Sequence, residues 1–246
     1  MLTLKNERLG QFINPDLCKI TEDLVLTDPF FGSERNNYDQ QIQDKVTELQ
    51  NNQQLKLKIS ELKLKFLSST EALLHGDVHT GSIFVTENSM KVFDSEFAYY
   101  GPIGFDVGLI IGNMILSLAS HFTQGHFKAV DYSLNAIETI WQTFENNFKA
   151  LAKEHTQDIA FKSDEYIDQT IKNIFSDTIG YAGCEVIRRI IGLAHVEDLD
   201  GIEDQPLKNK AEILALTIGE QLISGQNQIY SINNVIQQCK SHLVIN

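Results

Sequence analysis

Leu74-His75-Gly76-Asp77-Val78-His79-Thr80-Gly81-Ser82-Ile83-Phe84-Val85, with Lys91-Val92-Phe93-Asp94-Ser95-Glu96 close behind, is the stretch from which the rest of the chain can be read. Short apolar runs enclose His75 and a glycine-bounded loop that carries a second histidine and a carboxylate. The β-branched and aromatic residues of 83–85 and 91–93 suit strands, and Glu87-Asn88-Ser89 suits the turn between them. A strand at Leu73-Leu74 leads into the loop of 76–81. This order predicts a small β-hairpin with Asp77 and Asp94 at the same end.

Those residue types in that order suit phosphoryl transfer, which uses one carboxylate to orient an acceptor hydroxyl and another to hold the metal that neutralises the phosphates. Asp77, on a loop just after a strand, is placed for the hydroxyl-orienting or general-base role. A solvated loop aspartate or a helix cap is the bland alternative. Asp94 and Glu96 end a strand and alternate about it, so an extended backbone would point both to one side. Oxygen ligands so spaced suit Mg²⁺, which takes one or two carboxylates plus phosphate oxygens and water; a polar strand end facing solvent is the other option. Gly101-Pro102-Ile103-Gly104 makes a rigid turn. Asp106 could then cap an apolar helix over 107–118, or bind backbone N–H groups of the loop.

Outward from this segment the chain reads as mainly helical. Residues 1–35 read as irregular, with turns at Asn14-Pro15-Asp16 and Thr27-Asp28-Pro29 and a short apolar piece at Leu24-Val25-Leu26. Two helical pieces occupy 37–69, broken near Asn51-Asn52. Val130, Leu134, Ile137, Trp141, Phe144, Phe148 and Leu151 step by three and four, the stripe of a long amphipathic helix. Further helices fit 180–195, 207–223 and 229–242. Helical spacing puts Val186, Ile187, Ile190, Ile191 and Ala194 on one face, leaving Arg188 and Arg189 to a cleft or to solvent.

The 246 residues give one mainly α domain with a small hairpin, and a net charge of −13 without Lys/Arg clusters argues against a nucleic-acid partner. Cys18, Cys184 and Cys239 lie far apart in no metal-ligand spacing, as in a reduced, cytoplasmic protein. The start at Met1-Leu2-Thr3-Leu4-Lys5 lacks a signal-peptide pattern, and no uninterrupted apolar run approaches a membrane span. The expectation is a soluble cytoplasmic chain without a membrane partner.

The His75-to-Ser82 run, together with Asp94-Ser95-Glu96-Phe97-Ala98-Tyr99-Tyr100-Gly101-Pro102-Ile103-Gly104-Phe105-Asp106, resembles the methylthioribose kinase family. That family has a protein-kinase-like fold shared with aminoglycoside phosphotransferases and choline kinases. His-Gly-Asp is common to the superfamily, whereas the Asp-to-Asp stretch is much narrower. Two further segments agree. Asn14-to-Val25 is similar to the stretch beyond the family's interlobe hinge. Cys184-Glu185-Val186-Ile187-Arg188-Arg189 resembles its paired-arginine helix.

The resemblance implies a C-terminal, helical lobe of an α+β kinase fold spanning 1–246. Within it, 1–35 is the post-hinge segment, 71–96 the catalytic loop and metal-binding hairpin, and 104–246 the helical subdomain. It implies Asp77 as the catalytic carboxylate, Asp94 and Glu96 as Mg²⁺ ligands beside ATP, and Arg188 and Arg189 as substrate-binding residues. His75 packs behind the loop, with Asp106 also supporting it. Ser82 stands where many superfamily members place a metal-binding Asn, so it contributes at most weakly to the metal or through water. Ser95 replaces an expected proline, which loosens a turn and removes no ligand.

The implied reaction is ATP-dependent phosphorylation of a hydroxyl of 5-methylthioribose in methionine salvage, by a family that forms homodimers. No glycine-rich nucleotide-covering strands precede residue 14, and Lys5 and Gly10 lack their context. The N-terminal lobe is therefore expected to be missing, through a truncated reading frame or because its complement is separately encoded, leaving the isolated chain with little or no turnover. Three other readings compete. One is an inactive or partner-dependent binding module, and another is a kinase for choline, an aminoglycoside or homoserine. The third is a metallophosphoesterase suggested by Gly76-Asp77-Val78-His79, which would need more ligands than His121, His126, His155, His195 and His242 offer at their spacings.

Overall fold

The computed structural model of the chain describes residues 7–226 and 228–243. The opening residues, including Lys5 and the stretch read for a signal peptide, lie outside them. Helix α1 spans Pro15–Leu26 and α2 Asp28–Phe31, each with proline in its first turn. The segment read as irregular is thus largely helical. The Asn-Pro and Asp-Pro pairs that looked like turns are helix starts, where proline gives up an N–H that would go unpaired anyway.

Helices α3 (Gln43–Asn51) and α4 (Gln53–Ser68) break at Asn52, whose side chain caps α4 by accepting from the Gln54 and Leu55 N–H groups. Leu55, Ile59, Leu62 and Phe66 form the buried face of α4, at helical spacing.

Strand β1 (Ala72–Leu74) leads into the loop, and β2 (Ile83–Thr86) pairs antiparallel with β3 (Ser89–Val92) as expected of the hairpin. The segment after it returns as β4 (Tyr99–Gly101), antiparallel to β1 with Leu73 opposite Tyr100. Two short ribbons therefore hold the loop between them.

Helix α5 (Gly104–Thr123) runs through the middle of the molecule, flanked by α6 (Phe127–His155) and α7 (Asp164–Ile191). The short α8 (Glu197–Asp200), α9 (Gln205–Ser224) and α10 (Ile232–His242) complete the helical layer. The stripe on α6 buries Val130, Leu134, Ile137 and Trp141, with Trp141 edge-on to Phe175.

Contrary to expectation, α5 is long and apolar enough by length and composition to cross a membrane. Its burial explains that composition, because Phe105, Ile111, Ile115, Leu116 and Leu118 are fully enclosed. A Cβ at Gly108 would lie 2.6 Å from the Thr178 carbonyl oxygen, so α5 meets α7 backbone to backbone there. Lys65 of α4 also pairs with Asp177 of α7. Burial pushes the Asp177 carboxyl up to about 6 against the pull of that lysine.

Candidate active site

The loop after β1 is shaped by its backbone. Gly76 has φ +89°, and a Cβ there would come within 2.3 Å of the Phe97 carbonyl oxygen, so a side chain is excluded twice over. Asp106 stands in the first turn of α5 without capping it. Its carboxylate reaches across and accepts from the His75 N–H at 2.6 Å and the Gly76 N–H at 3.0 Å. Of the two contacts open to Asp106, the helix cap is not made and the bonds to the loop backbone are. Burial pushes its carboxyl up, opposed by those two N–H groups. The His75 ring lies behind the loop, with Nε2 2.8 Å from the Phe93 carbonyl, and so ties the loop to the segment carrying Asp94.

Ser82 is buried, and its hydroxyl exchanges hydrogen bonds with the His79 backbone, donating to the carbonyl at 2.8 Å and accepting from the N–H at 3.0 Å. Its observed contacts are therefore within the loop. His79 Nδ1 accepts from the Gly81 N–H at 3.1 Å. Burial, reinforced by Arg189, lowers the His79 pKa.

Asp77 meets the paired arginines of α7. Arg188 donates through Nη2 to Asp77 Oδ1 at 3.0 Å, and Arg189 Nη2 lies 3.9 Å from the same oxygen. Both arginines are buried, which decides between the cleft and solvent: they turn inward. Beneath them is Glu185, fully buried and missed in the sequence. Its carboxylate accepts from Nε of Arg188 and from Nε of Arg189, the latter at 2.8 Å. Burial alone would push the Glu185 carboxyl up, but the two guanidinium groups more than reverse that and hold it at about 2. A carboxylate three and four residues before two consecutive arginines was the available sign, since both spacings bring side chains together on a helix.

Asp77, Arg188 and Arg189 line one cavity of about 120 Å³, completed by Ile20, Thr21, Leu24, Val25, Gly76, Phe97, Phe105, Leu109 and Ala194. Arg189 Nη2 is buried there without a hydrogen-bond partner. The lining thus combines a carboxylate and two guanidinium groups with apolar side chains.

Asp94 and Glu96 stand on the adjoining segment, exposed and outside that lining. They do not alternate along a strand. The chain leaves β3 at Val92, Asp94 takes the left-handed conformation at φ 68°, and Glu96 lies in the single 3₁₀ turn Ser95–Phe97. The reversal from β3 into β4 demands this bend, and Asn14 secures it by donating to the Glu96 carbonyl at 2.8 Å. Among the described residues no three His, Cys, Asp or Glu side chains gather as a metal cluster. Two exposed carboxylates are still a donor set that suits Mg²⁺, which completes its shell with phosphate and water.

A loop carboxylate thus stands beside two buried arginines, with two more carboxylates exposed on the next segment. Residues 14–129 match the model of the phosphotransferase enzyme family, which includes every acidic site residue named above except Glu185. The chain also resembles methylthioribose kinase along nearly its whole length. It is 41% identical to that of Enterobacter sp. (strain 638) over 97% of this chain and 61% of the relative. It is 42% identical to that of Yersinia pestis (strain Pestoides F) over 96% of this chain and 59% of the relative. The chain spans about three fifths of the length of these curated relatives.

Proposed function

We propose that the chain carries the acceptor pocket and transfer residues of a small-molecule kinase that moves the γ-phosphoryl group of ATP onto a hydroxyl of 5-methylthioribose, a step of methionine salvage. The observation that carries this reading is Asp77 held by Arg188 in a cavity where Arg189 keeps an unpartnered nitrogen. The cavity's mixed polar and apolar lining supports the choice of acceptor. A thioribose would offer hydroxyls to Asp77 and Arg189 and a methylthio group to apolar lining residues such as Leu24 and Phe97.

In this mechanism Asp77 accepts the hydrogen bond of the reacting hydroxyl and orients its lone pair toward the phosphorus. Arg189 donates to the sugar, and Arg188 fixes the Asp77 rotamer. Asp94 and Glu96 would hold Mg²⁺, which when bound neutralises the nucleotide phosphates. Ser82 enters only through water, since its hydroxyl is committed to His79. Asp106 and His75 keep the loop in register with the segment of Asp94.

A partner-dependent reading has its own observation. Phe84, Val85 and Met90 on the β2–β3 ribbon are 65%, 72% and 64% exposed, an apolar surface suited to being covered by another body. We take the covering body to be a nucleotide-binding lobe and the intact kinase to be a cytoplasmic homodimer.

Transfer of labelled phosphate from ATP to 5-methylthioribose, choline and an aminoglycoside tests the proposal, with this chain alone and with a relative's N-terminal lobe added. The expected result is transfer to methylthioribose in preference to the other two acceptors, with the added lobe increasing it. Preference for choline or the aminoglycoside would refute the acceptor.

A further inference from the structure

The Asp77–arginine contact continues into the core through Glu185 and Asn113, both buried and outside the cavity lining, and returns to the exposed Thr80. Asn113 on α5 is 2% exposed. Its Nδ2 donates to Glu185 Oε1 at 3.1 Å and to the Leu109 carbonyl at 2.9 Å. Its Oδ1 faces the catalytic loop, accepting from the Thr80 hydroxyl at 3.4 Å and the Thr80 N–H at 3.5 Å. Asp77, Arg188, Glu185, Asn113 and Thr80 therefore form a closed circuit, completed by the short stretch of chain from Thr80 back to Asp77. Its geometry depends on the close approach of α5 to α7, where a Cβ at Gly112 would lie 2.8 Å from that of Glu185.

The chemistry of the circuit is specific. One carboxylate takes the Nε–H of both arginines, leaving their terminal nitrogens to other partners. Arg188 spends Nη2 on Asp77, and Nη2 of Arg189, 3.9 Å from the same carboxylate oxygen, is buried without a hydrogen-bond partner. Asn113, with a donor on one end and an acceptor on the other, is the neutral side chain that can join a carboxylate to a hydroxyl and an N–H. A fully buried carboxylate between two guanidiniums is costly to assemble and contributes geometry more surely than stability.

We propose that Glu185 and Asn113 are positioning residues that divide the labour of the arginine pair. Glu185 orients Arg188 onto Asp77 and Arg189 toward the acceptor, and Asn113 sets the catalytic loop against that pair. Their substitution impairs acceptor binding by displacing the arginines, beside whatever it costs the fold. This rests on the acceptor reading above, so the test has one arm that needs no acceptor.

In that arm, the Nε–H signals of Arg188 and Arg189 are followed by NMR in ¹⁵N-labelled chain, assigned with Arg188→Lys and Arg189→Lys. In Asn113→Ala, both are expected to exchange with solvent about tenfold faster, the scale of one lost buried hydrogen bond. Unchanged exchange of both signals would overturn the circuit whatever the substrate.

In the second arm, calorimetry measures 5-methylthioribose affinity for the wild type, Glu185→Gln, Arg189→Met and the double variant. The loss from Glu185→Gln should disappear in the Arg189→Met background, because its route is already cut. Equal losses in both backgrounds would mark Glu185 as merely structural and overturn the proposal. Should Glu185→Gln fail to fold, Asn113→Ala takes its place in the same cycle. Wild-type chain that binds no methylthioribose would refute the acceptor reading, while the exchange arm still decides the circuit.

Discussion

Asp77→Ala, made in a kinase completed by its nucleotide lobe, is expected to lower turnover with methylthioribose by at least about two orders of magnitude, the scale of a positioned acid–base group. The chemistry needs a carboxylate at this point because the reacting hydroxyl must be oriented and its proton accepted as the new P–O bond forms. The same variant should fold almost normally. The Asp77 side chain is 32% exposed, and its removal takes from Arg188 one hydrogen bond while Glu185 still neutralises the guanidinium. A stability change within about 2 kcal/mol is expected from losing one such charged bond at a partly exposed site. Steady-state kinetics beside a denaturant titration separates the two effects. A drop of only a few-fold in turnover would remove Asp77 from the mechanism.

Glu185→Gln should do the reverse and act first on the fold. The substitution keeps the shape of the side chain and deletes its charge, stranding two guanidinium groups that are 6% and 7% exposed. Breaking a buried ion pair by removing one partner costs about 3–5 kcal/mol. In a chain of this size that corresponds to a fall in Tm of roughly 6–20 °C.

The acid dependence should change as well. The folded-state pKa of Glu185 lies at about 2, below its ordinary 4.5, so its contribution is present above 4.5 and is lost as pH falls toward 2. Over that window the wild type should lose about 3 kcal/mol more than the variant. Urea midpoints between pH 5 and pH 2.5 measure this. Parallel curves for the two proteins would show that the Glu185 charge is not held by the arginines.

Much of this site was legible because its parts are local. The loop, hairpin and Asp77 lie within one stretch whose turn and strand residues speak for themselves, and the stripe on α6 keeps strict helical spacing. The break at Asn52 was visible because asparagine is a strong helix cap.

The features hidden from a sequence reading depend on contacts distant along the chain. The three-residue strand β4 exists because Leu73 has Tyr100 opposite it. Proline after Asn14 or Asp28 can start a helix or mark a turn, and only the packing of the next residues decides; the burial of Val25 and Leu26 is a tertiary fact. Helix α7 is enclosed on nearly every side from Ile174 onward, so it carries little amphipathic signal and was seen only in its last turns. The bend at Asp94 broke the expected alternation with Glu96 because the chain must turn there from one ribbon to the other.

The central claim is that the acceptor sugar binds between Asp77, Arg189 and the apolar wall beside them. Chemical-shift mapping of the ¹⁵N- and ¹³C-labelled chain titrated with 5-methylthioribose measures this most directly. The account expects saturable shifts centred on Gly76, Asp77, Phe97 and the two arginine side chains. Saturable binding that leaves those signals still while moving residues elsewhere would contradict it.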